Sequence, residues 1–147
     1  MSKVDEQSIR DRLTVMFDGW SPGTGKFTME RVESLYDRGS NFLAFDTLVP
    51  TTSIMDGWPS FLYHWEQAIN GMRRFECQLE DILRLEVQGD LAWTALLLSV
   101  DAELDDGHQQ LSAEQQVTLI WQRHEDGWRI VHEHLSGPVR PESRIDE

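Results

Sequence analysis

Two histidines flank a glutamate in WRIVHEHLSGP, residues 128–138. A His-x-His pair on one strand can present two imidazoles to a metal ion, and histidine also serves as acid or base near neutral pH. A catalytic zinc needs a third ligand converging from elsewhere, and His64 is the available candidate. Nothing like HExxH or a paired CxxC accompanies it, so the expectation is no bound metal and no other cofactor. His132 and His134 read equally as ordinary side chains of a packed sheet. Asp46, in LAFDTLVP, has two readings of its own. It is either a general base, its pKa raised by Phe42, Phe45 and Trp65, or a turn carboxylate bonding nearby backbone N–H groups.

The elements that must position these groups follow from periodicity. Ile9, Leu13, Met16, Phe17 and Trp20 fall at helical spacing and predict an amphipathic helix over Val4–Trp20, ended by GWSPGTG. A short second helix is expected from Thr28 as N-cap through Val32, Leu35 and Tyr36, and NFLAFDTLVP reads as a short strand. Pro59 and Ser60 open a third helix with Phe61, Trp65, Ala68, Ile69 and Met72 on one face and Gly71 near its end. Beyond it, Gly89-Asp90, Asp105-Asp106-Gly107 and Asp126-Gly127 punctuate segments rich in Val, Ile, Leu, Trp and Thr, predicting a four-stranded antiparallel meander. Helices first and a curled sheet afterwards is an α+β pattern.

A two-residue turn at Asp126-Gly127 sets a register in which Glu125 faces Trp128, Arg123 faces Ile130, Trp121 faces His132 and Leu119 faces His134. Both histidines then share a face with Trp121 and Leu119, while Glu133 points the other way with Val131 and Leu135. Counting back across Gly89-Asp90 pairs Trp93 with Glu86, on a face suited to an interface. The same count sets Asp81 opposite Leu98 in an apolar row. A carboxylate there is costly, which favours a bulge or an edge position.

The 147 residues suit one domain, taken as 1–139, with an acidic tail at 140–147. A net charge of −13, scattered rather than in one run, disfavours nucleic acid and anionic membrane as partners. The single cysteine rules out an intramolecular disulfide. MSKVDEQSIRD lacks the apolar run of a secretion signal, and no stretch approaches a membrane span, so cytoplasm is the expected compartment.

WRIVHEHLSGP, together with NFLAFD, MDGWPSFLYHW and VQGDLAWTA, resembles the nuclear transport factor two-like superfamily, in particular its SnoaL-like domains. It is also similar to the association domain of calcium/calmodulin-dependent protein kinase II. The resemblance implies a cone-shaped curved antiparallel sheet wrapped around a long helix, with a pocket inside the cone and a sheet face used for dimerisation. Relatives include isomerases, cyclases and dehydratases, some using a carboxylate after the first strand as base, and Asp46 falls at about that point. The association domain carries an arginine two residues before the tryptophan of its penultimate strand, where this chain has Leu119. The expected protein is therefore a homodimer that binds a small molecule in a hydrophobic cone, with Asp46 and His132 catalytic. Tyr36, Phe42, His64, Trp65, Trp121 and His134 are the expected ligand-binding residues. The alternatives are a non-catalytic assembly module whose cone is filled by side chains and, more distantly, a zinc enzyme.

Overall fold

Ile9, Leu13, Met16, Phe17 and Trp20 form the buried stripe of the first helix, α1 (Lys3–Trp20), in the computed structural model, which describes residues 3–21, 27–39, 41–49, 51–137 and 140–141. The last turn of α1 carries no basic residue of its own. Arg31 supplies one from outside: its Nε donates to the Gly19 carbonyl at 2.9 Å and its Nη2 to that of Asp18 at 3.1 Å. A cation at that end of the helix meets both the unpaired carbonyls and the helix dipole.

The segment expected as a second helix forms two 3₁₀ turns, Met29–Arg31 and Glu33–Leu35. Thr28 is extended, as an N-cap should be, but its side chain makes no capping bond. Two uncapped turns are too short to nucleate an α-helix on their own. A strand β1 (Leu43–Asp46) follows, then a short strand β2 (Ile54–Asp56) that the sequence did not lead one to expect. The second helix, α2 (Trp58–Asn70), has Pro59 in its first turn and buries Trp58, Phe61, Trp65, Ala68 and Ile69.

The meander is present as β3 (Met72–Gln88), β4 (Leu91–Leu104), β5 (Gln109–His124) and β6 (Gly127–Ser136). The sheet order is β2-β1-β6-β5-β4-β3, and a short β7 (Arg140–Pro141) pairs with β5, so the first residues of the expected tail join the sheet. Every pairing is antiparallel except β1 with β6, which is parallel. Register shifts interrupt the β3–β4, β4–β5 and β5–β6 ladders. Each adds local bend and twist, and together they curl the sheet into an unclosed cone packed against α1 and α2. Trp93 lies opposite Glu86 as counted, and Asp81 is exposed on the edge strand β3 beside a register shift, opposite Leu97.

Two aromatic groups fill the cone. Trp20 stacks on Phe27 with ring centroids 4.5 Å apart and meets Trp65 and Phe75. Tyr36, Phe42, Trp58 and Phe61 form the other group, edge-on or tilted at 5.0–5.9 Å. Among the described helices none is long and apolar enough to cross a membrane.

Gly19 marks where α1 touches the 3₁₀ segment. A Cβ there would sit 2.7 Å from Val32 Cγ1 and 3.1 Å from the Arg31 carbonyl oxygen. Gly19→Ala is expected to cost about 1–3 kcal/mol in urea denaturation through overpacking. An unchanged midpoint would contradict this packing.

Candidate functional site

The parallel pairing of β1 with β6 brings two carboxyls onto the inner face of the sheet. Ala44 lies opposite Glu133 and Asp46 opposite Leu135. Alternation along β1 turns Ala44 and Asp46 inward and Phe45 outward. On β6 the alternation is broken once. Trp121 pairs with Ile130 but Ile120 with His132, so Val131 is an extra residue in the strand. Ile130, Glu133 and Leu135 consequently all face the interior. Asp46 and Glu133 are 1% and 3% exposed.

Tyr36 follows the second 3₁₀ turn and is held by a parallel bridge to Ile130, beside an Asp37 N–H that donates to the Ile130 carbonyl at 2.8 Å. Its hydroxyl donates to Glu133 Oε1 at 2.7 Å, wholly inside the protein. Burial lifts the Glu133 carboxyl from the ordinary 4.5 to about 7, against the opposing pull of the Tyr36 hydrogen bond. Burial also lifts the Tyr36 hydroxyl, with the neighbouring Glu133 charge adding to it.

Asp46 is raised well above the usual carboxylate range, first by burial and then by the Glu133 charge. Backbone N–H groups of Leu48 and Val49 and the Trp65 indole act in the lowering direction. Leu48 N–H donates to Asp46 Oδ1 at 2.7 Å. The indole, although near enough to stabilise the charge, is outside hydrogen-bonding geometry: Trp65 Nε1 and Asp46 Oδ2 are both buried without a partner. Cys77 completes the interior polar set. Burial raises its thiol, and its N–H and C=O are tied to the Ser21 hydroxyl at 3.2 and 2.9 Å. A cavity of about 20 Å³ is lined by Trp65, Cys77 and Glu133 with Met16, Phe17 and Trp20 from α1, and Asp46 and Tyr36 are not among its lining residues. That is room for about one water-sized group. The larger depressions, about 660 Å³ beside the β5–β6 turn and about 680 Å³ over Trp93 and Ile120, are open surface grooves remote from the carboxyls.

Of the residues expected from the sequence, Asp46, Tyr36 and Trp65 converge in the cone, with Phe42 packed edge-on against Tyr36 at 5.5 Å. Trp121 is buried away from the cavity, its indole N–H donating to Thr94 Oγ1 at 3.1 Å. His64 is bonded through Nδ1 to the exposed Thr51 hydroxyl at 2.7 Å. The placing of His132 and His134 beside Trp121 and Leu119 is overturned. The β5–β6 turn falls at Glu125-Asp126, and the extra residue Val131 sets His132 opposite Ile120, His134 opposite Thr118 and Glu133 opposite Leu119. The two imidazoles therefore lie on the outer face on either side of Phe45, at 5.4 and 5.3 Å between ring centroids. His132 Nδ1 donates to the Leu43 carbonyl at 2.7 Å. Phe45, expected to shield Asp46, is thus on the wrong side of the sheet to do so. Among the described residues, no group of three or more His, Cys, Asp or Glu is placed to hold a metal ion.

Glu133 was the residue missed. One signal for it exists in the strand: the apolar phase of Trp128 and Ile130 gives way to that of Val131 and Leu135, and such a change of phase marks a bulge.

A family model described as the SnoaL-like domain matches residues 26–140. Three of the many solved structures that share the shape illustrate it. A nuclear transport factor 2-like superfamily protein from Salmonella enterica has a TM-score of 0.78 at 17% identity, over 95% of each chain. A protein provisionally named an aromatic ring hydroxylase, from Novosphingobium aromaticivorans, has a TM-score of 0.79 at 11% identity, over 100% of this chain and 99% of that one. The hexachlorocyclohexane dehydrochlorinase LinA-type3 from Novosphingobium barchaimii has a TM-score of 0.71 at 14% identity, over 95% and 94%. A search of curated proteins finds no match.

The buried carboxyl yields a pH-linked prediction. Glu133 titrates at about 7 in the fold against an ordinary 4.5. Folding therefore takes up a proton within that window, and wild-type stability falls as pH rises through it. The interval corresponds to about 3 kcal/mol. Glu133→Gln keeps the Tyr36 bond but cannot ionise, so its stability relative to wild type is expected to climb by that order between pH 4.5 and 7 in urea denaturation. Parallel stability curves for the two proteins would show that Glu133 is not held protonated.

Proposed function

The chain belongs to the SnoaL-like domain family, and from that premise we propose that it is a homodimeric small-molecule-binding domain. In this reading the interior of the cone catalyses a cofactor-free proton transfer of isomerase, cyclase or dehydratase type. The observation that carries the proposal is the pair of carboxyls, Asp46 and Glu133, enclosed among apolar side chains with Tyr36 bonded to one of them. Burial makes Asp46 hold a proton more tightly, as a carboxylate that must take one from carbon requires. A protonated Glu133, whose Oε1 accepts the Tyr36 hydroxyl, supplies a neutral donor for an oxygen that gains charge as that proton leaves. The likeness in shape to a protein named a dehydrochlorinase supports an elimination or related proton abstraction as the reaction type. His132, on the outer face, has no part in this chemistry.

Dimerisation is assigned to that outer face. Trp93 lies opposite Ile120 and Ile120 opposite His132, and Trp93 and Leu91 are 43% and 52% exposed. An aromatic and aliphatic row on an open sheet face suits burial against a second copy.

One observation favours a second reading, an assembly module without catalysis: the interior cavity is only about 20 Å³. Under that reading the carboxyls are remnants of a site and the cone stays filled.

The two readings separate in a thermal-shift screen against small uncharged metabolites, followed by measurement of carbon-bound proton exchange into deuterated water for each stabilising compound. A compound that raises Tm and exchanges a proton is expected, with exchange cut by about 10²–10⁴-fold in Asp46→Asn. Exchange unchanged in that variant removes Asp46 as the base, and no stabilising compound favours the assembly module. Trp93→Glu is expected to shift the protein from dimer to monomer in sedimentation equilibrium. A wild-type protein that sediments as monomer would contradict the assigned face.

A further inference from the structure

The two histidines that the bulge at Val131 turns outward lie on the face assigned to dimerisation, and the inference drawn from them rests on that assignment. Register across the sheet sets two rows on this face. One runs from Asp56 on β2 through His132 and Trp93 to Glu86 on β3, and the other from Ile54 on β2 through Phe45 and His134 to Arg84 on β3. Charge is confined to the ends of the rows, and the imidazoles are the only ionisable groups between them. Their neighbours across the strands are Leu43 and Phe45 on β1 and Ile120 and Thr118 on β5, none of which titrates. On β6 itself the charged neighbour is Arg129, already tied to Asp126.

This composition suits a second copy of the chain. At a net charge of −13 two copies repel, and they meet with least opposition through rows that hold one more acid than base. Covering the rows takes water from the imidazoles, and the flanking strands offer no carboxylate to compensate a charge on them. His132 already commits one nitrogen. Its Nδ1 donates to the Leu43 carbonyl at 2.7 Å, so an added proton goes to Nε2.

We propose that His132 and His134 make the dimer pH-sensitive: two copies join through neutral imidazoles and separate as these take up protons below about pH 6.5. Below that value the free protomer carries the protons and must shed them to associate, so association weakens as pH falls. Above it both forms are neutral and the affinity levels off. Two-fold symmetry places each imidazole in the interface twice, which doubles the effect.

The test measures the dimer dissociation constant of the full chain by sedimentation equilibrium at about pH 7.5 and about pH 5.5, for wild type and for His132→Asn/His134→Asn. Asparagine keeps a donor near the Nδ1 position and does not titrate. The wild-type constant is expected to rise about tenfold or more at the lower pH while that of the variant changes by less than about threefold. Every other titrating group is common to the two proteins, so the difference between them belongs to these histidines. If the variant does not fold, the imidazole proton resonances of wild type are followed against pH in dilute and in concentrated solution, and two of the five histidines are expected to titrate lower when concentrated. Equal midpoints at both concentrations overturn the proposal, as does a wild-type dimer that holds or tightens at the lower pH relative to the variant. A variant that weakens as much as wild type removes the two histidines as the cause. Each of these outcomes leaves the dimer standing. A wild-type protein that sediments as monomer at about pH 7.5 overturns the dimer reading and this inference with it.

Discussion

Two carboxyls inside an apolar cone are the constraint around which the rest of the structure is arranged. An ionised carboxylate taken from water into such surroundings is opposed by a desolvation cost that no side chain among the described residues offsets with a full positive charge. The chain meets the cost by raised proton affinity and by hydrogen bonding. Glu133 is pushed up to about 7 and takes the Tyr36 hydroxyl, and Asp46 is raised while accepting the Leu48 N–H. Each carboxyl raises the proton affinity of its surroundings, because the Glu133 charge acts on Asp46, Tyr36 and Cys77 alike. Leu or Val at these positions would carry no such cost, so the buried pair supports the proposed chemistry.

The backbone devices that produce this arrangement are few. The parallel pairing of β1 with β6 sets Asp46 and Glu133 on one face two rungs apart. The extra residue at Val131 turns Glu133 inward and sends both histidines out. The bridge from Tyr36 to Ile130 carries the phenol to the carboxyl. None of these contacts is local. A shift of a single residue at Val131 would exchange the carboxyl for an imidazole inside the cone, which is why a bulge next to a buried carboxyl has consequences beyond its size.

Much of this was legible in the sequence where the signal is periodic. The buried stripe of α1, the proline-led start of α2 and the turns at Gly89-Asp90 and Asp105 to Gly107 lie where spacing and turn residues place them. Asp46 was singled out through the resemblance, and the structure buries its carboxyl inside the cone. The fold resemblance also holds, since the α+β cone is present and the SnoaL-like family model matches. What sequence counting could not give was register across the last hairpin. Turn residues Glu125-Asp126 rather than Asp126-Gly127, together with a bulge at a β-branched valine, are decided by which apolar side chains best fill the cone. That choice depends on packing against α1 and β4, and no local residue pattern reports it in full. The same ambiguity hid Glu133 and promoted His132 and His134.

The central claim is that the interior holds carboxyls with raised proton affinity, and its most direct measurement is a carbon-13 NMR titration of the side-chain carboxyl carbons of Asp46 and Glu133. A Glu133 midpoint near 7 and an Asp46 midpoint well above the usual carboxylate range are expected. Midpoints for both near 4, the ordinary carboxylate value, would show the two groups to be solvated, and the acid–base site would be contradicted.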